Sequence, residues 1–122
     1  MLKIEAIRTE RVLLPIRPEW VITGGAGTHD RSPFLLVWIN AEGVEGIGEV
    51  SGTYLWSGEG FETAEAAVRN VLAPLLIGRE LSPNAVRGVM DQALAGFPFT
   101  KAAIEMAVWD ALGKSCGVSV GA

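Results

Sequence analysis

In the first fifty residues apolar side chains alternate with polar ones or gather in short runs, and from about residue 60 they recur every three to four positions, so strands precede helices. Between Leu2 and Ile16 the residues Ile4, Ala6, Val12 and Leu14 follow one alternation, while Ile7 and Leu13 follow the other. This predicts one long strand whose register changes once, at a bulge, and which ends at Pro15 and Pro18. Phe34 to Ile39 is a nearly continuous run of β-formers, and Asn40-Ala41-Glu42-Gly43 has the composition of a hairpin turn with Gly43 left-handed. Val44 to Val50 is then the returning strand. Its Gly46 and Gly48 share a face with Val44 and Val50, which permits close approach of another element there. Between the strands, Glu19 to Pro33 contains Gly24, Gly25 and Gly27 with Thr23, Thr28 and Asp30 and predicts a mobile loop.

Three helices follow. Thr63 to Leu72 carries Ala64, Ala67, Val68, Val71 and Leu72 on one stripe, and Pro74 must end or kink it, having no N–H and clashing with the preceding turn. Ser82-Pro83 is an N-cap followed by proline at the first helical position; it opens a helix with Val86, Val89, Met90, Ala93 and Leu94 inward, stopped by Gly96. The third, from about Thr100 to Lys114, is apolar almost all round, as in a helix buried on more than one side. The expected fold is α+β, a three-stranded antiparallel meander followed by a three-helix bundle, with no βαβ alternation to support a doubly wound nucleotide fold.

A length of 122 residues suits a single domain with an ordinary core. The net charge of −4 is spread along the chain, and no Lys/Arg cluster offers a face for nucleic acid or an anionic membrane. Apolar runs are too short for a membrane span, and Lys3 and Glu5 interrupt any signal-peptide-like stretch, so a cytoplasmic location is expected. Cys116 and His29 are the only cysteine and histidine, which removes disulfides, CxxC and HExxH motifs, and any nucleophilic triad not built on His29.

Few residues suggest chemistry. The glycines at 24, 25 and 27 fit neither GxGxxG nor a P-loop. Glu45 and Glu49 share a strand face but stand roughly 13 Å apart, too far to chelate one ion. Trp20-Val21-Ile22 and Tyr54-Leu55-Trp56 place bulky apolar side chains in loops, which marks a ligand site or an interface. Glu105 and Asp110, on the apolar third helix, require partners if buried, and a second domain could supply them.

Three segments resemble a known family in order and spacing: GVEGIGE at 43–49, LAPLLIG at 72–78 and KAAIEMAVWDALGK at 101–114. Together they are similar to the N-terminal capping domain of the enolase superfamily, in its muconate cycloisomerase and mandelate racemase branch, across essentially the whole chain. Glu105 stands where the resemblance leads one to expect aspartate. The resemblance implies residues 1–114 as a substrate-capping domain and 115–122 as the start of a linker into a (β/α)₈ barrel domain. That barrel would hold Mg²⁺ on three carboxylates, with lysine or histidine bases removing a proton next to a substrate carboxylate. Catalytic and metal-binding residues would then lie outside this chain. The implied capping loops contain Trp20, Ile22, Thr23, His29, Glu49, Ser51, Tyr54 and Trp56, and the implied barrel interface contains Glu105, Val108, Trp109, Asp110 and Leu112. The implied partners are a small carboxylate substrate, the barrel domain and further copies in a homo-oligomer. The apolar loops favour muconate-type cycloisomerisation over N-acylamino acid racemisation, o-succinylbenzoate synthesis, mandelate-type racemisation or acid-sugar dehydration. The competing expectation is a stand-alone, non-catalytic binding module of the same fold. For the isolated chain, self-association through Val108, Trp109 and Leu112 is expected.

Overall fold

The computed structural model describes residues 1–24 and 27–122. It is α+β, with β1 (Ala6–Pro15), β4 (Arg31–Ala41) and β5 (Val44–Ser51) forming an antiparallel sheet in the order β1-β4-β5. The register of β1 on β4 runs unbroken from Ala6 opposite Asn40 to Pro15 opposite Arg31, so the expected bulge is absent. The two alternations in β1 have another cause: both faces of the sheet carry apolar residues, the outer one beside charged side chains such as Arg8 and Glu45. The inner column of β4 (Leu35, Val37, Ile39, Ala41) is buried under the helices, while the outer column (Phe34, Leu36, Trp38) is half-buried beside Val12 and Ile47.

The described part of the segment expected to be a mobile loop contains regular secondary structure. A 3₁₀ turn at Pro18–Trp20 leads into a small hairpin of β2 (Ile22–Gly24) and β3 (Gly27–His29), with Ile22 opposite His29 and Thr23 opposite Thr28. Gly25 of the glycine cluster lies outside the described residues. The β4–β5 turn has Glu42 at φ 50° and Gly43 at φ 86°, the two positive values of a type I′ hairpin, with Gly43 left-handed as the composition suggested.

A short helix α1 (Tyr54–Ser57) precedes α2 (Phe61–Ala67), which continues through a wide π turn (Val68–Leu72) into α3 (Ala73–Leu76). Pro74 therefore interrupts the regular helix without ending it, since the wider turn accommodates a residue that lacks an N–H. In α4 (Pro83–Ala93) Val86 and Met90 are buried, whereas Ala93 is exposed; Ser82 holds the N-cap position without a side-chain hydrogen bond to the helix. α5 (Pro98–Cys116) outlasts its expected end at Lys114 by two residues and stops at Gly117, φ 70°.

α5 lies directly on β5, and the two glycines explain how. A Cβ on Gly46 would fall 2.0 Å from the Ala107 carbonyl oxygen, and one on Gly48 1.8 Å from that of Ala103. The helix thus rests against the strand backbone. Side chains of α5 also satisfy the free edge of β5: Asp110 Oδ2 accepts from Ile47 N at 3.0 Å, and Lys114 Nζ donates to the Glu45 carbonyl at 2.8 Å. This closes a sheet edge whose backbone groups would otherwise be open to pairing.

Candidate functional site

At the far end of the sheet the inner column of β4 continues past the helices as Pro33 and Arg31, and there a groove of about 440 Å³ opens between the β2–β3 hairpin and α1. Its walls are Ile22, Thr28 and His29 from the hairpin and Thr53, Tyr54, Leu55 and Trp56 from the α1 region. The His29 and Trp56 rings meet at 5.7 Å between centroids, tilted by 36°, which joins the two walls. His29 Nε2 also lies 3.3 Å from Ser32 Oγ.

Local chemistry shapes α1. Thr53 is extended, its carbonyl accepts from Ser57 Oγ at 3.0 Å, and Gly58 at φ 74° ends the single turn. The Tyr54 ring occupies the space a Cβ on Gly60 would need, 2.1 Å from Tyr54 Cζ. Its hydroxyl donates to Glu62 Oε2 at 2.6 Å. This bond raises the Tyr54 phenol above its ordinary value and lowers the Glu62 carboxyl below its own. Behind it, Arg11 meets Glu65 at 2.8 Å and lies over the Phe61 ring, and the hydrogen bond from Arg11 lowers the Glu65 carboxyl.

Of the residues expected in capping loops, Ile22, His29, Tyr54 and Trp56 line this groove, and the last is 71% exposed. Thr23 bonds Thr28 across the hairpin at 3.3 Å, and Trp20 stands before the hairpin under the Arg17 guanidinium. Glu49 and Ser51 are placed elsewhere: they pair in register with Leu36 and Phe34, on the outer face of the sheet. Alternation along β5 puts Gly48, Val50 and Gly52 on the inner side, so the odd-numbered residues cannot reach the groove. Leu55, marked in the sequence with Tyr54 and Trp56, lines the groove as well, and Thr28, Arg31, Pro33 and Thr53 join the lining without having been singled out as site residues. In the sequence Arg31 carries the same inward parity as Leu35 and Val37.

The expected interface residues on α5 divide similarly. Trp109 is 44% exposed and lines an apolar groove of about 610 Å³ with Ala102, Glu105, Met106 and Val120. Val108 is fully buried in the core and is corrected as an interface residue, since it projects to the side of the helix facing the sheet. Leu112 is half-buried against that core, and Asp110 is engaged with Ile47 and Lys114. Among the described residues no three His, Cys, Asp or Glu side chains converge on a position that could hold a metal ion, and no helix is long and apolar enough to cross a membrane.

Residues 4–122 match the family model for the mandelate racemase / muconate lactonizing enzyme N-terminal domain. A chloromuconate cycloisomerase of Cupriavidus necator is 35% identical over 122 residues, covering 98% of this chain and 32% of that protein. An N-succinyl-L-Arg/Lys racemase of Bacillus cereus is 32% identical over 115 residues, covering 93% of this chain and 31% of that protein. The crystal structure of a muconate lactonizing enzyme from Pseudomonas fluorescens, complexed with muconolactone, aligns with a TM-score of 0.86 at 31% identity, over 94% of this chain and 32% of that one. The chain therefore spans about a third of the length of the relatives it matches.

Proposed function

The chain belongs to the mandelate racemase / muconate lactonizing enzyme family, as its N-terminal domain, and we propose that it caps the substrate pocket of an enzyme that removes a proton next to a carboxylate. The observation that carries this reading is the groove itself: two segments far apart in sequence, the hairpin and α1, meet through His29 and Trp56 around about 440 Å³ of largely apolar space. Small-molecule pockets span roughly 300–1,000 Å³, and half of one contributed by each of two domains suits a lid.

The reacting groups would lie on a barrel domain over which this cap closes, and a Mg²⁺ ion held there would supply Lewis-acid chemistry at the substrate carboxylate. The described residues of this chain converge on no site that fits the ion, so no step is routed through them. Their part is to exclude water and shape the cavity. Ile22, Leu55 and Trp56 supply apolar walls that shield an enolate from quenching, and the Tyr54–Glu62 bond fixes the turn that presents them. Such walls suit an apolar carboxylate better than a sugar acid. Muconate-type cycloisomerisation is the favoured reaction, followed by racemisation of an acylated amino acid, in a cytoplasmic homo-oligomer.

The test is steady-state kinetics of the enzyme carrying this cap with its barrel. Trp56→Ala and Ile22→Ala should each change the ratio of kcat/KM between a muconate and an N-succinylated amino acid by about tenfold, the effect of a lost apolar pocket contact. Unchanged ratios in both variants would remove the groove from substrate choice.

A further inference from the structure

Tyr54, Leu55 and Trp56 face the groove from α1, none of whose four residues is buried. Apolar burial therefore does little to fix this helix, and polar tethers must. Thr53 and Glu59 pair as an isolated antiparallel bridge, so residues 53–59 form a closed loop with that bridge as its neck and the wall residues beyond it. Ser57 Oγ reinforces the neck, accepting from Glu59 N at 3.2 Å and lying 3.0 Å from the Thr53 carbonyl oxygen. The neck in turn has a deep anchor. Glu59 is 4% exposed, and its carboxylate accepts from Phe99 N, Thr100 N and Thr100 Oγ1 in the first turn of α5. The bond from Tyr54 to Glu62, which also holds the loop, is exposed, and water competes there for both partners. Burial makes the Glu59 bonds the stronger constraint, because a charge-assisted bond is worth more away from water and its loss strands buried donors. Glu59 itself does not line the groove.

We propose that Glu59 is a positioning residue for substrate choice: its buried bonds to α5 fix the neck of the 53–59 loop, and thereby where Leu55 and Trp56 stand against the hairpin. The inference rests on the capping role above and deepens it, since control of groove shape then lies with a side chain outside the groove. Glu59 takes no part in proton removal.

The experiment measures kcat/KM of the enzyme carrying this cap with its barrel, on a muconate and on an N-succinylated amino acid, for Glu59→Gln, Trp56→Ala and the double variant. Glu59→Gln keeps one acceptor oxygen and should change the ratio between the substrates by about three- to tenfold, carried by KM more than by kcat. In the double variant the change should fall short of the product of the two single changes, because Glu59 acts through the wall that Trp56 builds. Val86→Ala, a core truncation in α4, lowers stability and should leave the ratio at the parent value. Thr100→Val removes one donor to Glu59 and should shift the ratio in the same direction by less; it carries the test where Glu59→Gln does not fold. A silent Glu59→Gln beside an effective Trp56→Ala would leave the cap standing and reduce Glu59 to a structural cap of α5. A full product in the double variant, or an equal shift in Val86→Ala, would overturn the assignment as well. If Trp56→Ala and Ile22→Ala are silent too, the capping role itself fails.

Discussion

Glu59 lies forty-one residues before Thr100, yet its buried carboxylate caps the helix on which Thr100 sits. Glu59 Oε1 accepts from Thr100 N at 2.9 Å and from Thr100 Oγ1 at 2.7 Å, and Oε2 accepts from Phe99 N at 2.9 Å. These are donors of the first turn of α5, which has no side-chain cap bond at its N-cap residue Phe97, φ 53°. A carboxylate there also meets the positive end of the helix dipole. The segment that follows α1 is thereby tied to the helix that covers β5.

Glu59→Ala would leave those donors buried and unpaired. It should lower unfolding free energy by about 3 kcal/mol, and Glu59→Gln, which keeps one acceptor oxygen, by less. Urea denaturation of the parent and both variants measures the order. A Glu59→Ala midpoint equal to the parent's would show that the cap contributes nothing.

Glycine substitutions should separate close approach from helix propensity. Gly48→Ala places a Cβ against the Ala103 backbone and should cost about 3 kcal/mol or prevent folding, because neither strand nor helix can yield without opening the core. Gly88→Ala, in the middle of α4 with nothing within 4 Å of the added atom, should stabilise by about 0.5–1 kcal/mol. Equal shifts in urea midpoint would contradict the packing.

Tyr54 is the only tyrosine, so ultraviolet absorbance of tyrosinate reports it alone. Its bond to Glu62 raises the phenol, and the titration should fall above the ordinary value of about 10. A group raised on folding stabilises below its unfolded value, and that contribution is lost as pH rises through the folded one. Glu62→Gln should bring the titration back toward the ordinary value. A midpoint unmoved by the substitution would exclude the bond.

In acid the sign reverses. Glu62 and Glu65 are lowered, Glu62 chiefly by Tyr54 and Glu65 chiefly by Arg11. Their contribution is complete above the usual carboxylate range and disappears as pH falls through the folded values. Glu65→Gln should flatten the acid limb of stability against pH, measured by urea midpoints between about pH 7 and pH 2. An acid limb as steep as the parent's would count against the pair.

The isolated 122-residue chain should self-associate through the exposed part of α5. Met106 and Trp109 present the apolar surface there, in place of Val108, which the core already occupies. Met106→Glu should reduce the mass seen by light scattering. A parent chain that is monomeric at millimolar concentration would refute the expectation.

The order of elements was legible in the sequence because period-two and period-3.6 patterns are local properties of strand and helix. So was the room for a close neighbour on β5, since Gly46 and Gly48 share one strand face; that the neighbour is α5 came from the packing. The aromatic content of two loops pointed to the groove, and four of the eight expected capping residues line it. Tertiary structure decided the rest. The supposed bulge in β1 dissolved because sequence cannot tell a register slip from a sheet that carries apolar residues on both faces. Val108 and Trp109 are neighbours in an evenly apolar helix, and only the direction from which the sheet approaches assigns one to the core and the other to solvent. Glu59 capping α5, Asp110 closing the edge of β5 and His29 meeting Trp56 across the groove all join residues distant in the chain. Local periodicity carries no information about such partners, because they are chosen by how packed elements cross.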